Sequence, residues 1–334
     1  MWLMASIWLT ASMTTELSRR LLERDRKAVP EALNLIEDDR RAQRDASAAL
    51  LQKLEGNNRA ALRVGITGAP GAGKSTLIDA LVRELRSRDK TVGIIAVDPS
   101  SQKSGGALLG DRLRMRSSTS DEGVFLRSMA ARDRLGGLSA SCRDGIEILA
   151  SAFDVVLIET VGVGQSESEI VNLVHTLVFV AQPGAGDSVQ FMKAGLIEMP
   201  DVFVVNKADT GAIAERTQSE LLGGVGLSDE AAGGWTAPAL LASARDGTGI
   251  CEVVDAIVEH RDHLVETDTL NTRLNRGKAE WLRGALMDRY GTHGIEKLGG
   301  PDALHAMIDA EVSEAAPVAY QRLAVAIEDA LRKG

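Results

Sequence analysis

The sequence predicts an α/β protein in which helices cover a mostly parallel sheet, with a further helical arm at each end of the chain. Three observations carry this expectation. Short apolar runs alternate with helical segments through residues 61–265. One strand-to-helix turn, Gly68–Ser75, has the form G-x-x-x-x-G-K-S. Two later apolar runs end in polar residues, Asn206-Lys207-Ala208-Asp209 and Ser243-Ala244-Arg245, where a parallel sheet presents its ligand-binding edge.

The 334 residues exceed the usual size of one domain. Residues 1–12 are apolar, lack a basic n-region and are too short to span a bilayer. They read as an upstream extension or disordered leader, with Met13 as the natural start. Residues 13–60 form an N-terminal helical arm. Leu17, Leu21 and Leu22, then Ala32, Leu33 and Ile36, then Ala46, Ala49 and Leu50 recur at helical spacing. Pro30 marks a break or a first-turn position, with Asp25 as a cap. In the core, 61–265, strands are expected near 63–67, 91–97, 124–128, 154–159, 176–181, 201–206 and 239–243. The glycine-rich stretch 211–238 reads as a helix followed by a loop. Residues 266–334 hold no strand signal and form a C-terminal helical arm, punctuated by Gly299-Gly300-Pro301. Both arms have apolar faces that the core or a second subunit must cover.

The turn Gly68-Ala69-Pro70-Gly71-Ala72-Gly73-Lys74-Ser75-Thr76 follows a short apolar run and precedes a helical pattern. Glycines let the backbone wrap so that several N–H groups point inward, and the next helix offers its positive end to phosphate. The fold class is therefore a P-loop NTPase. Lys74 reaches the β- and γ-phosphates, and the Ser75 hydroxyl ligates Mg²⁺.

The N-K-x-D turn selects the base. Asp209 accepts from guanine N1–H and the 2-amino group. Adenine has an acceptor at N1 and no amine at that corner, so the carboxylate would lose its partners. Asn206 bridges the base edge to the phosphate loop, and the Lys207 stem covers the base plane. A backbone N–H of Ser243-Ala244-Arg245 is placed to donate to guanine O6. An ordinary strand-end turn is the alternative for Ser243-Ala244.

Two further apolar runs end in acids, Asp98 and Glu159, on the sheet edge that carries the phosphate loop. With Asp111, in a glycine-rich stretch, they are candidates for the Mg²⁺ shell and for catalysis, because Mg²⁺ takes oxygen ligands and keeps several waters. Asp98 and Asp111 also fit helix caps or solvated loop acids.

Charge and composition exclude other classes. The net charge of −9 argues against nucleic-acid binding, and 3% aromatic residues leave few stacking platforms. Cys142 and Cys251 fit no metal spacing and read as buried small hydrophobes in a reducing compartment. His260 and His263, three apart on a helix, read as a solvated face.

On these residues the chain resembles the MeaB/ArgK family, the GTPases that accompany methylmalonyl-CoA mutase and related cobalamin-dependent acyl-CoA mutases. The likeness runs from residue 14 to 334. It is dense in the phosphate loop, in Ala96-Val-Asp-Pro-Ser-Ser101, Gly105-Gly-Ala-Leu-Leu-Gly-Asp-Arg112, Glu159-Thr-Val-Gly-Val-Gly-Gln-Ser166, Pro183-Gly-Ala-Gly-Asp187 and Val205-Asn-Lys-Ala-Asp209. The resemblance implies a cytoplasmic homodimer built with the C-terminal arm, binding Mg²⁺ with GTP or GDP and no membrane. It implies a chaperone that gates adenosylcobalamin loading, protection or reactivation of the mutase, and a switch role for the loop from Pro183 to Lys193. No Asp-x-His-x-x-Gly motif occurs in the chain, so cobalamin is expected on the partner. Ras-type proteins orient water with a Gln directly after the switch glycine. Here Val163 follows Gly162 and Gln165 comes two positions later, so hydrolysis is expected to be slow alone and stimulated by a partner. Three readings compete: a kinase-like phosphotransferase linked to amino-acid transport, a metal-insertion GTPase, which lacks the expected His/Cys cluster, and a scaffold that holds GTP without hydrolysis. The client is open among the methylmalonyl-, isobutyryl-, ethylmalonyl- and hydroxyisobutyryl-CoA enzymes.

Asp209→Asn is expected to shift preference from guanine toward xanthine nucleotides, read by competition binding. A wild-type preference for ATP would contradict the base assignment.

Overall fold

Helical spacing at the amino end becomes three helices, α1 (Trp2–Leu22), α2 (Ala28–Ile36) and α3 (Arg41–Glu55). They belong to a computed structural model that describes residues 2–38, 40–55, 61–99, 121–131, 140–160, 170–184, 199–225 and 234–333. The chain divides into two units, Ala60–Leu270 and a second made of Met1–Arg59 with Asn271–Gly334. Helix α1 continues through residue 12 without a break. Leu17, Leu21, Leu33 and Leu50 are buried, as their spacing requires. Pro30 falls in the first turn of α2, where a missing N–H costs nothing. Asp25 closes the turn before that helix. Its carboxylate accepts the Lys27 N–H at 2.9 Å and the Arg20 guanidinium at 2.7 Å.

In the second unit the elements follow as β1 (Leu62–Thr67), α4 (Lys74–Ser87), β2 (Val92–Pro99), β3 (Val124–Ala131), α5 (Ala140–Ala152), β4 (Val155–Glu159), β5 (Thr176–Ala181), β6 (Val202–Val205), α6 (Ala212–Val225), β7 (Ala239–Leu241) and α7 (Ile250–Glu266). The sheet order is β3-β2-β4-β1-β5-β6-β7, and every pairing is parallel. The strands stand where the apolar runs place them. β1, β4, β5 and β6 are buried at every position, because helices cover both faces. Val64, Ile66, Ile94, Leu157, Val178 and Val180 share one core with Leu77 and Leu81 of α4 and with Val253 and Ile257 of α7. Phe179, Phe203 and Val205 pack with Ala214 and Leu221 of α6. Sequence-successive strands step away from β1 in both directions, β2 and β3 beyond β4 on one side and β5 to β7 on the other. That reversal opens a crevice at the carboxyl end of β1.

Two readings are corrected here. His260 is not on a solvated face. It is 2% exposed, with Nδ1 2.9 Å from the Thr176 hydroxyl and Nε2 3.3 Å from Asp201. The Trp235 ring lies beside it, tilted by 57° with centroids 4.9 Å apart. The helix α7 turns this residue toward the sheet, which a spacing of three could not reveal. Cys142 is buried as expected, but Cys251 is exposed, with its sulfur 3.0 Å from a guanidinium nitrogen of Arg88.

The carboxyl end adds α8 (Leu270–Leu298), α9 (Pro301–Glu311) and α10 (Ala316–Lys333). Gly291 kinks α8 with φ 62° and ψ −177°. Pro301 opens α9 after Gly300. Leu282, Leu286, Ile295, Leu304, Ile308, Leu323 and Ile327 form the core of these helices. The arms also pack on each other, a third possibility beside the core or second subunit expected from sequence. Helix α10 lies against α3. The Ala315 N–H donates to Gln52 Oε1 at 3.1 Å. The Lys278 ammonium bonds to the Glu55 carboxylate and donates to the Glu314 carbonyl at 3.0 Å. Among the described residues, no helix is long and apolar enough to cross a membrane.

Lys278 has a side chain only 11% exposed, so it depends on Glu55. Glu55→Ala is expected to destabilise the helical unit by about 1–3 kcal/mol. Lys278→Met in that background should recover much of the loss, measured by thermal denaturation.

Candidate functional site

The phosphate loop leaves β1 at Gly68 and enters α4 at Lys74. Gly68, Gly71 and Gly73 have φ of 143°, 83° and 89°, a region that side chains avoid. Space is as restrictive as conformation. A Cβ on Gly68 would stand 2.2 Å from the carbonyl oxygen of Val180 in β5, and one on Gly73 would stand 2.5 Å from Asn206 Nδ2. The adjacency of β1 and β5 therefore demands the first glycine, and Asn206 demands the last. Ala69, Pro70 and Ala72 fill the turn between them, and the Ala72 N–H donates to the Ala69 carbonyl at 3.2 Å. Lys74 is buried, and its ammonium donates to the carbonyls of Gly68 at 2.7 Å and Ala69 at 3.2 Å. The lysine thus folds over its own loop, at the amino end of α4, where anions are favoured.

Ser75 and Thr76 follow in the first turn of α4. The Ser75 hydroxyl donates to Glu159 Oε1 at 2.8 Å. Glu159 ends β4, the neighbour of β1, in register with Ile66. Beyond it, the Thr160 and Thr67 hydroxyls meet at 3.0 Å, which pins the two strand ends together. A hydroxyl and a carboxylate held side by side are hard oxygen donors, the set that suits Mg²⁺. Asp98 lies in β2, two positions beyond Ala96, the register partner of Glu159. Its backbone shares that sheet edge, and its side chain lies outside the described residues. Asp111, Gln165 and the loop positions 185–193 also lie outside them.

The base-reading candidates converge from β6 and β7. Asn206 is 2% exposed. Its Nδ2 donates to the carbonyls of Ala72 at 2.9 Å and Gly73 at 3.3 Å, and its Oδ1 accepts the Ala244 N–H at 3.2 Å. Lys207 takes the left-handed φ of 61°. That conformation sends its stem across the loop, where Nζ donates to the Gly71 carbonyl at 2.8 Å. Asp209 Oδ1 accepts the Ser243 hydroxyl at 3.1 Å, and Oδ2 lies 3.1 Å from an Arg245 guanidinium nitrogen. All three carbonyls from Gly71 to Gly73 thus accept hydrogen bonds from side chains of the N-K-x-D turn, Lys207 on Gly71 and Asn206 on Ala72 and Gly73.

Sequence reasoning singled out the loop from Pro183 to Lys193 by resemblance alone and missed the contacts made at the exit of β5. The Gln182 side-chain oxygen lies 3.7 Å from where a Cβ of Gly71 would stand. The Gly184 N–H donates to the Thr217 hydroxyl of α6 at 3.2 Å. No local pattern signals either contact, since both arise from the β1–β5–β6 adjacency.

A parallel sheet that carries a phosphate loop at its crossover, with an N-K-x-D turn beside it, defines a P-loop NTPase of the GTPase type. The family described as methylmalonyl Co-A mutase-associated GTPase MeaB matches residues 29–297, and the chain belongs to that family. A protein of Pyrococcus horikoshii named as a GTPase is 46% identical over 76% of this chain and 80% of its own length. The mouse protein named methylmalonic aciduria type A homolog, mitochondrial, is 32% identical over 82% of this chain and 69% of its own length. Among solved structures, one described as LAO/AO transport system kinase superposes with a TM-score of 0.72 at 25% identity, covering 95% of this chain and 98% of that one.

Gly68→Ala should lower stability by about 1–3 kcal/mol from its backbone conformation alone. The steric contact with Val180 adds to this, and thermal melting of the variant against wild type measures the sum.

Proposed function

We propose that this chain binds GTP with Mg²⁺ at the sheet crossover and hydrolyses it to GDP and phosphate, slowly when alone. We further propose that it serves as chaperone of a cobalamin-dependent acyl-CoA mutase of the methylmalonyl-CoA mutase type. The observation that carries the nucleotide reading is the grip of the N-K-x-D turn on the phosphate loop, Asn206 at 2.9 Å from the Ala72 carbonyl and Lys207 at 2.8 Å from that of Gly71. Base and phosphate sites are thereby one rigid construction.

In this reading the loop amides and Lys74 bind the triphosphate, the ammonium leaving the carbonyls of Gly68 and Ala69 for phosphate oxygens. Ser75 and Glu159 hold the cation, with Asp98 and Asp111 as further members of its shell. When bound, Mg²⁺ supplies positive charge across the β- and γ-phosphates. Asp209 receives the guanine edge, the Ala244 N–H meets O6, and the Lys207 stem covers the ring. Asp98 would serve either in the cation's shell or in holding or orienting the attacking water. Phosphoryl transfer to water is mainly positioning and charge stabilisation, and valine at 163 supplies neither. A partner that completes the site then sets the rate.

The family description and the name of the mouse relative support a mutase as that partner. Cobalamin stays with the mutase. The C-terminal arm serves a homodimer, and the cytoplasm is the proposed compartment. A phosphotransferase linked to amino-acid transport is the second reading, favoured by the name of the superposed structure.

Calorimetry in magnesium buffer should detect GTP binding. Phosphate release should be slow and rise at least about tenfold on adding an acyl-CoA mutase. Label from γ-labelled GTP should appear as free phosphate. Fast turnover without gain from the mutase contradicts the chaperone reading, and label on protein favours the phosphotransferase.

A further inference from the structure

The carboxylate proposed to receive guanine already has a partner. Asp209 Oδ2 lies 3.1 Å from Nη2 of Arg245, while Oδ1 accepts the Ser243 hydroxyl at 3.1 Å. The Arg245 side chain is 78% exposed and that of Asp209 24%, which puts the pair at the mouth of the site. The second group that a base would use, the Ala244 N–H, donates to Asn206 Oδ1 at 3.2 Å. The base site is closed on itself.

The chemistry of the closing group is specific. The guanine edge is N1–H, C2 and an exocyclic amine, an N–C–N fork of donors. A guanidinium is the same fork, and both match the two oxygens of a carboxylate. We propose that Arg245 is an internal stand-in for guanine, which competes with the incoming base for Asp209. This rests on the reading of Asp209 as the base receptor. The stand-in keeps the carboxylate partnered. Guanine would then replace the single guanidinium contact on Oδ2, and the displaced guanidinium has Asp246, the next residue in the turn, as a second carboxylate. Adenine offers no such fork and leaves Arg245 where it is. The arginine therefore moderates the affinity for the correct base, and its return to Asp209 favours release.

GDP and ADP binding to the full chain, measured by calorimetry at fixed salt, tests the assignment. Arg245→Ala should tighten GDP about two- to fivefold, the range open to an exposed ion pair, and should not tighten ADP. Arg245→Lys should fall between, because an ammonium keeps the charge and loses the fork. Asp209→Asn reports on the base site separately, through a switch from GDP to xanthosine diphosphate. If that switch occurs but Arg245→Ala weakens GDP binding or leaves it unchanged, the stand-in is overturned and the base site survives. If Asp209→Asn leaves base preference as it was, both fall.

Discussion

One buried amide ties the nucleotide-binding half of the molecule together. Asn206 reaches the phosphate loop through Nδ2, 2.9 Å from the Ala72 carbonyl, and the strand-end turn after β7 through Oδ1, 3.2 Å from the Ala244 nitrogen. A buried amide left without partners costs about 1–3 kcal/mol, so these segments hold Asn206 as firmly as it holds them. Other features follow from it. Residue 73 has no room for a Cβ because Asn206 occupies that space. The left-handed turn at Lys207 directs the next side chain onto the same loop.

The order of strands does the same for the phosphate end. β1 lies between β4 and β5, so the residues that follow it meet the tips of both neighbours. Ser75 therefore finds Glu159 at 2.8 Å across 84 positions of sequence, and Gly68 passes close under the Val180 carbonyl. The Lys74 ammonium donates to carbonyls of its own loop. Asp209 is paired likewise with Ser243 and Arg245. Both charged groups are thereby partnered, since an isolated buried charge would be far more costly.

The helical unit is built from both ends of the chain, with the α/β unit inserted between its halves. Helices from the two ends meet where α10 lies against α3, and Lys278, through Glu55, and Gln52, through the Ala315 N–H, join them by polar contacts. Leu21, Leu33 and Leu50 belong to one half, Leu286 and Ile308 to the other.

The strand positions, the phosphate loop and the N-K-x-D turn were legible by themselves, because each is a local requirement. Runs buried on both faces must be apolar, tight turns around phosphate need glycine, and a guanine receptor needs a carboxylate at a strand end. Solvation of a side chain was not legible in this way. His260 read as a surface residue and is in the core against Thr176, while Cys251 read as core and is exposed beside Arg88. Nor could spacing reveal Gln182 beside the phosphate loop, or Arg245 on Asp209. The sequence alone thus determined the phosphate loop and the N-K-x-D turn and on which edge of the sheet they stand. Only the tertiary structure decided which of their groups meet one another first. Such contacts depend on strand order and helix rotation, and these are set by the packing of the whole core.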